Sequence, residues 1–89
     1  MIKREDLLTL NFYKKEKFTG SFKGMRYRVE KTEEGLKATV WPEPMNYANT
    51  PDEQKTEATF SFDENGLCQA ADWLSSQYTS RESFWKALL

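Results

Sequence analysis

Apolar residues recur at every second position in three runs, within 18–31, 36–41 and 58–62, and at every third or fourth position after Asp63. Side chains repeat with a period of two on a strand and about 3.6 on a helix, so this one change of period limits the chain to a sheet followed by a helix. Within residues 18–31, Met25, Tyr27 and Val29 alternate with Arg26, Arg28 and Glu30, the pattern of a half-buried strand. Thr32 to Gly35 then supplies charge and a glycine suited to positive φ. Leu36, Ala38 and Val40 follow, with Lys37, Thr39 and Trp41 opposite, and the two runs predict a hairpin. Pro42 and Pro44 end the second strand because proline cannot donate to a ladder. Ala58, Phe60 and Phe62, alternating with Thr59 and Ser61, predict a third strand.

Asp63 is placed to cap a helix, with Glu64 in the first turn where the helix dipole favours negative charge. Leu67, Ala70, Ala71, Leu74 and Tyr78 form one helical face, and the two alanines let that face lie close to the sheet. Thr79 and Glu82 stand in capping-box relation, so the helix is expected to pause near Thr79 and restart through Phe84, Trp85 and Leu88, the alternative allowed by the same periodicity being one continuous helix to Leu89. Thr50-Pro51-Asp52-Glu53 has the order of one capped helical turn. Ahead of the sheet, Lys3 to Leu10 suits a short helix and Asn11 to Phe18 suits an edge strand. The expected architecture is α+β, an antiparallel sheet of three or four strands with one face covered by a C-terminal helix and a short N-terminal helix before it. Eighty-nine residues provide one core, so residues 1–89 are read as a single domain.

Composition excludes several kinds of chemistry. There is no histidine, which removes the usual general base near neutral pH and the Ser-His and Cys-His nucleophile pairs. Cys68 is the only cysteine, so neither an internal disulfide nor a zinc site is expected, and a cytoplasmic setting fits. Cys68 itself is expected to be a small buried hydrophobe beside the helical stripe. No apolar run reaches the length of a signal core or a membrane span. The four glycines are dispersed, with no phosphate-binding loop. Glu33/Glu34 lie in a predicted turn, and Asp52/Glu53 and Asp63/Glu64 in helical first turns, where acids stabilise the dipole. No catalytic, metal-binding or cofactor-binding residues are expected, and the chain is not expected to be an enzyme.

Charge is nearly balanced overall but unevenly spread. Residues 1–31 hold nine Lys/Arg against four Asp/Glu, a net of +5, and residues 32–89 hold four against ten, a net of −6. The sheet face turned away from the helix is expected to be open and to carry Lys23, Arg26, Arg28, Lys37 and Trp41. Cations that meet phosphates, beside an aromatic that stacks on a base, make that face a candidate nucleic-acid surface. Lys14, Lys15 and Lys17 form a second basic cluster, with Glu16 inside it. The connection from Pro42 to Lys55 is long for a hairpin and suits recognition of a protein. Met45 and Tyr47 in that loop, with Phe84 and Trp85 at the C-terminus, are the candidate partner-binding residues. The same aromatic patch suits a homodimer. The reading is therefore a small accessory protein that binds another protein, with nucleic-acid binding as the alternative.

The order short helix, three strands, helix resembles that of double-stranded RNA-binding domains. That resemblance implies a lysine-rich start to the final helix for phosphate contact, whereas Asp63-Glu64-Asn65-Gly66 is acidic and departs from the pattern. Gly24 to Lys31, Ala38 to Pro44 and Thr50 to Trp73 also resemble short uncharacterised proteins of anaerobic gut bacteria, over nearly the whole chain. That resemblance implies a bacterial protein and transfers no functional residue.

Overall fold

The computed structural model describes Ile2, Leu7 and residues 9–42 and 46–86. A single helical turn, α1 (Leu10–Tyr13), leads into four strands, β1 (Phe18–Phe22), β2 (Met25–Thr32), β3 (Gly35–Pro42) and β4 (Thr56–Phe60). Two helices follow, α2 (Glu64–Ser80) and α3 (Glu82–Lys86). The strands pair antiparallel in chain order, β1-β2-β3-β4. The α+β class, the antiparallel sheet, the covering C-terminal helix and the short N-terminal helix all match the expectation from sequence.

Strand alternation turns Met25, Tyr27, Val29, Leu36, Ala38 and Val40 to one face, where they are buried with Leu67, Ala70, Ala71, Leu74 and Tyr78 of α2. Ring pairs anchor the helix at both sides of the sheet: Phe22 of β1 meets Tyr78 at 4.8 Å, and Phe60 of β4 meets Trp73 at 6.2 Å. Ile2, Leu7, Tyr13 and Trp85 join the same core, and Ser75 donates to the Ile2 carbonyl across 2.6 Å.

The fourth strand arises where the sequence shows a single run. Lys23 (φ 48°) and Gly24 (φ 96°) form a two-residue turn with both φ values positive, which gives the twist that adjacent strands require. Residues 18–31 therefore fold into two strands. Asn11 to Phe18 is not an edge strand, because Thr9 accepts a hydrogen bond from the Phe12 amide (3.3 Å) and starts the turn of α1. The Lys3 to Leu10 helix lies mostly outside the described residues. Gly35, at the second turn, has the expected positive φ, 134°.

The loop from β3 to β4 contains the expected helical turn, as 3₁₀ helix at Asp52–Gln54. Thr50 does not cap it; the Thr50 hydroxyl donates to the Asn46 carbonyl at 2.6 Å. α2 continues past Thr79 to Ser80, and the break falls at Arg81 (φ −130°, ψ 30°). Arg81 holds the restart in place, with its guanidinium 4.7 Å from the Phe84 ring and 4.8 Å from the Trp85 ring, and Nη1 donating to Thr56 Oγ1 at 3.1 Å.

Asp63 caps α2 as expected. Its carboxylate accepts from the Gly66 amide at 2.7 Å and from the Ser61 hydroxyl at 2.9 Å. These bonds, the Gly66 amide first, favour the charged form and lower the Asp63 pKa. The folded protein then holds this proton less tightly than the unfolded chain, so the cap stabilises above the ordinary carboxylate range and is lost as pH falls through and below it. Asp63→Ala is expected to lower the melting temperature at neutral pH, with the gap to the parent closing in strong acid. Paired thermal melts across acid pH check this, and a gap that widens on acidification would refute it.

Candidate functional site

Register fixes what shares the sheet face opposite the core. Arg26 pairs with Trp41, Arg28 with Thr39 and Glu30 with Lys37, and Thr39 and Lys37 pair with Glu57 and Thr59 of β4. Four of the five proposed nucleic-acid residues, Arg26, Arg28, Lys37 and Trp41, thus lie on one face. Lys23 does not join them: it sits in the β1–β2 turn with its ammonium 5.4 Å from the Phe22 ring.

That face is not open as expected. The loop after β3 folds back over it and places the Tyr47 ring 5.4 Å from Trp41, nearly edge-on. The Arg28 guanidinium lies 3.9 Å from the centre of the same ring and the Lys55 ammonium 4.1 Å. Trp41 is 0% exposed and presents no surface for a base to stack on. An indole with an apolar partner within reach of its own chain gains more by burial than by facing water, and the long loop supplies that partner. Thr39 is also fully buried, with no hydrogen-bond partner for its hydroxyl.

Two of the cations on this face, Arg28 and Lys37, have acids beside them. Arg28 Nε lies 3.0 Å from Glu30 Oε2, close enough for an ion pair although the N–H is not aligned for a hydrogen bond. Lys37 Nζ lies 3.4 Å from Glu57 Oε2. Burial pulls the Lys37 pKa down, but Tyr47, Glu57 and Glu30 together outweigh it, and the net shift is upward. A hollow of about 400 Å³ is lined by Lys37, Tyr47, Lys55 and Glu57, so its two lysines are offset in part by its own carboxylate.

The candidate protein-binding residues separate. Met45 lies outside the described residues. Tyr47 is half-buried against the sheet. Trp85 is 0% exposed, and its indole N–H donates to the Gln77 carbonyl at 3.1 Å, so it belongs to the core and not to a patch. Phe84 is exposed, at 40%, with Arg81 against its ring. Cys68, expected to be buried, is exposed on α2. It follows Leu67 by one position, and the stripe of α2 that touches the sheet is too narrow to include it.

The sequence reading missed the outer edge of β1. A two-residue turn closes on a hydrogen-bonded pair, here Phe22 with Met25. Phe18, Gly20 and Phe22 therefore direct their amides and carbonyls at β2, and Thr19 and Ser21 direct theirs outward. Both residues are exposed, and no strand lies beyond them among the described residues. The dipeptide Lys23-Gly24 between two alternating runs is the signal that points to this edge. β4, the other edge, is tied near both ends, at Thr56 by Arg81 and at Ser61 by the start of α2.

Lysines stand at both ends of β1. Lys17 precedes it and Lys23 follows it, and Lys14, Lys15 and Lys31 line a hollow of about 260 Å³ together with Lys17, Glu16 and Glu30. Among the described residues no three His, Cys, Asp or Glu side chains gather to hold a metal ion, and no helix is long and apolar enough to cross a membrane. Comparison of the chain with protein-family models, curated proteins and solved structures gives no match in any of the three.

Proposed function

We propose that this chain is a non-catalytic domain that binds another protein by adding an extended segment of it to the outer edge of β1. The observation that carries this reading is the pair of outward-facing residues Thr19 and Ser21, each offering an amide and a carbonyl to a fifth strand. Main-chain pairing of this kind provides affinity without a deep pocket, which suits a domain with so small a core. Coverage of both sheet faces supports the same reading, since α2 covers one and the Tyr47 loop covers the middle of the other. Nucleic-acid binding across the sheet is the weaker reading, because Trp41 is buried and Arg28 and Lys37 have carboxylates beside them. A lone, exposed thiol, Cys68, fits a reducing cytoplasm.

A strand edge accepts proline where the N–H points to solvent, so Thr19→Pro removes one outward donor while leaving the β2 ladder intact. Peptides selected by display against the parent protein are expected to shift the backbone amides of residues 18–22 in two-dimensional NMR spectra. Thr19→Pro is expected to weaken them at least tenfold with its melting temperature nearly unchanged. Shifts gathered around Phe84 and α2, or binding indifferent to Thr19→Pro, would overturn the proposal.

A further inference from the structure

We infer that the segment accepted by β1 is acidic at its ends, with carboxylates flanking an extended middle of about five residues; this rests on the edge reading above. Five residues of strand span about 17 Å, and a lysine stands at each end of that span, Lys17 before Phe18 and Lys23 after Phe22. Lys14, Lys15 and Lys31 gather beside the first end. Among the described residues the acids there do not cancel them: Glu30 is held by Arg28 at 3.0 Å, which leaves Glu16 among four lysines. Among the described residues both ends carry lysine, so an acidic-ended segment is matched whether it runs parallel or antiparallel to β1.

The same charges disfavour the commonest wrong occupant of a bare edge, a second copy of this chain. An antiparallel β1–β1 pairing that uses both outward residues sets Thr19 opposite the second copy's Ser21. That register brings Lys17 of one copy toward Lys23 of the other at each end, just beyond the paired strands. Like charges placed opposite one another across strands are destabilising, and lysine at a strand edge is a recognised means of preventing self-association. An acidic segment meets no such repulsion, and selection by charge between copy and partner combines attraction for one with rejection of the other.

The test is fluorescence anisotropy with two labelled peptides of alternating valine and threonine, one ended by two glutamates on each side and one by two lysines. The glutamate-ended peptide is expected to bind at least tenfold more tightly at low salt, with the difference shrinking as salt screens it. The double variant Lys17→Glu/Lys23→Glu is expected to reverse the preference. Thr19→Pro is expected to abolish binding of either peptide. Equal binding of both peptides, lost in Thr19→Pro, would overturn the acidic preference and leave the edge reading standing. Binding of neither peptide would remove the edge reading itself. Binding of the glutamate-ended peptide that survives Thr19→Pro and is displaced by oligothymidylate would make the lysines a general polyanion surface and overturn the inference.

Discussion

Gly66→Ala is expected to destabilise the protein by about 3 kcal/mol or more, a large fraction of the roughly 4 to 13 kcal/mol that stabilises a domain of this length. The sign is the informative part. Alanine in place of glycine within a helix ordinarily stabilises by about 1 kcal/mol through propensity. Here a Cβ on Gly66 would stand 1.7 Å from the Ser61 carbonyl oxygen and 2.7 Å from its carbon, both backbone atoms. Neither a rotamer change nor a small side-chain shift relieves that overlap. The first turn of α2 must move away from the end of β4, and the Gly66 amide then leaves the Asp63 carboxylate that it bonds at 2.7 Å. Urea unfolding is expected to show a midpoint far below the parent's with a similar slope. Cys68→Ala, two residues along and exposed, is expected to stay within about 0.5 kcal/mol of the parent. A Gly66→Ala midpoint at or above the parent's would mean that β4 and α2 do not meet this closely.

The contrast between Gly66 and its neighbours also marks what a sequence makes visible. Leu67, Ala70, Ala71, Leu74 and Tyr78 announce a buried helical face by their spacing alone, and all five are buried. Asp63 announces the cap because its chemistry is local, acting over three residues. Gly66 carries no such signal, since its role is a close approach between two segments and depends on how tightly the chain turns from β4 into α2. The fourth strand was hidden for a similar reason. Lys23 takes φ 48°, a conformation that non-glycine residues adopt uncommonly, so Lys23-Gly24 is a weaker turn signal than Asn-Gly or Asp-Gly within the alternation on either side of it. Cys68 shows the limit of periodicity at the margin of a helical stripe, where one position decides between core and solvent. The candidate site was the least legible part. Alternation placed Arg26, Arg28, Lys37 and Trp41 on one face correctly, but it holds no information about a loop that folds back over that face.

Trp41→Ala gives that loop its energetic test. The expected loss is about 3 to 5 kcal/mol, the range for removing a large buried aromatic side chain, even though Trp41 lies on the side of the sheet away from α2. Trp41 is fully buried and meets Tyr47 edge-on at 5.4 Å, while Arg28 and Lys55 approach the same tyrosine ring at 3.9 and 4.1 Å. Tyr47 thus joins an indole from β3 with cations from β2 and from the loop, and the segment before β4 is pinned through it. Tyr47→Ala is expected to cost less than Trp41→Ala, and the double variant to cost less than the two single losses together by about 1 kcal/mol, in keeping with an aromatic pair. Chemical unfolding of the four proteins in that cycle supplies the numbers. An exposed, base-stacking Trp41 would predict a change within about 0.5 kcal/mol and no coupling to Tyr47. A loss of several kcal/mol with coupling makes this face a second, smaller core. Closing that face takes Trp41 away from any ligand, while the outer edge of β1, where Thr19 and Ser21 direct their amides and carbonyls outward, keeps main-chain groups able to form new bonds.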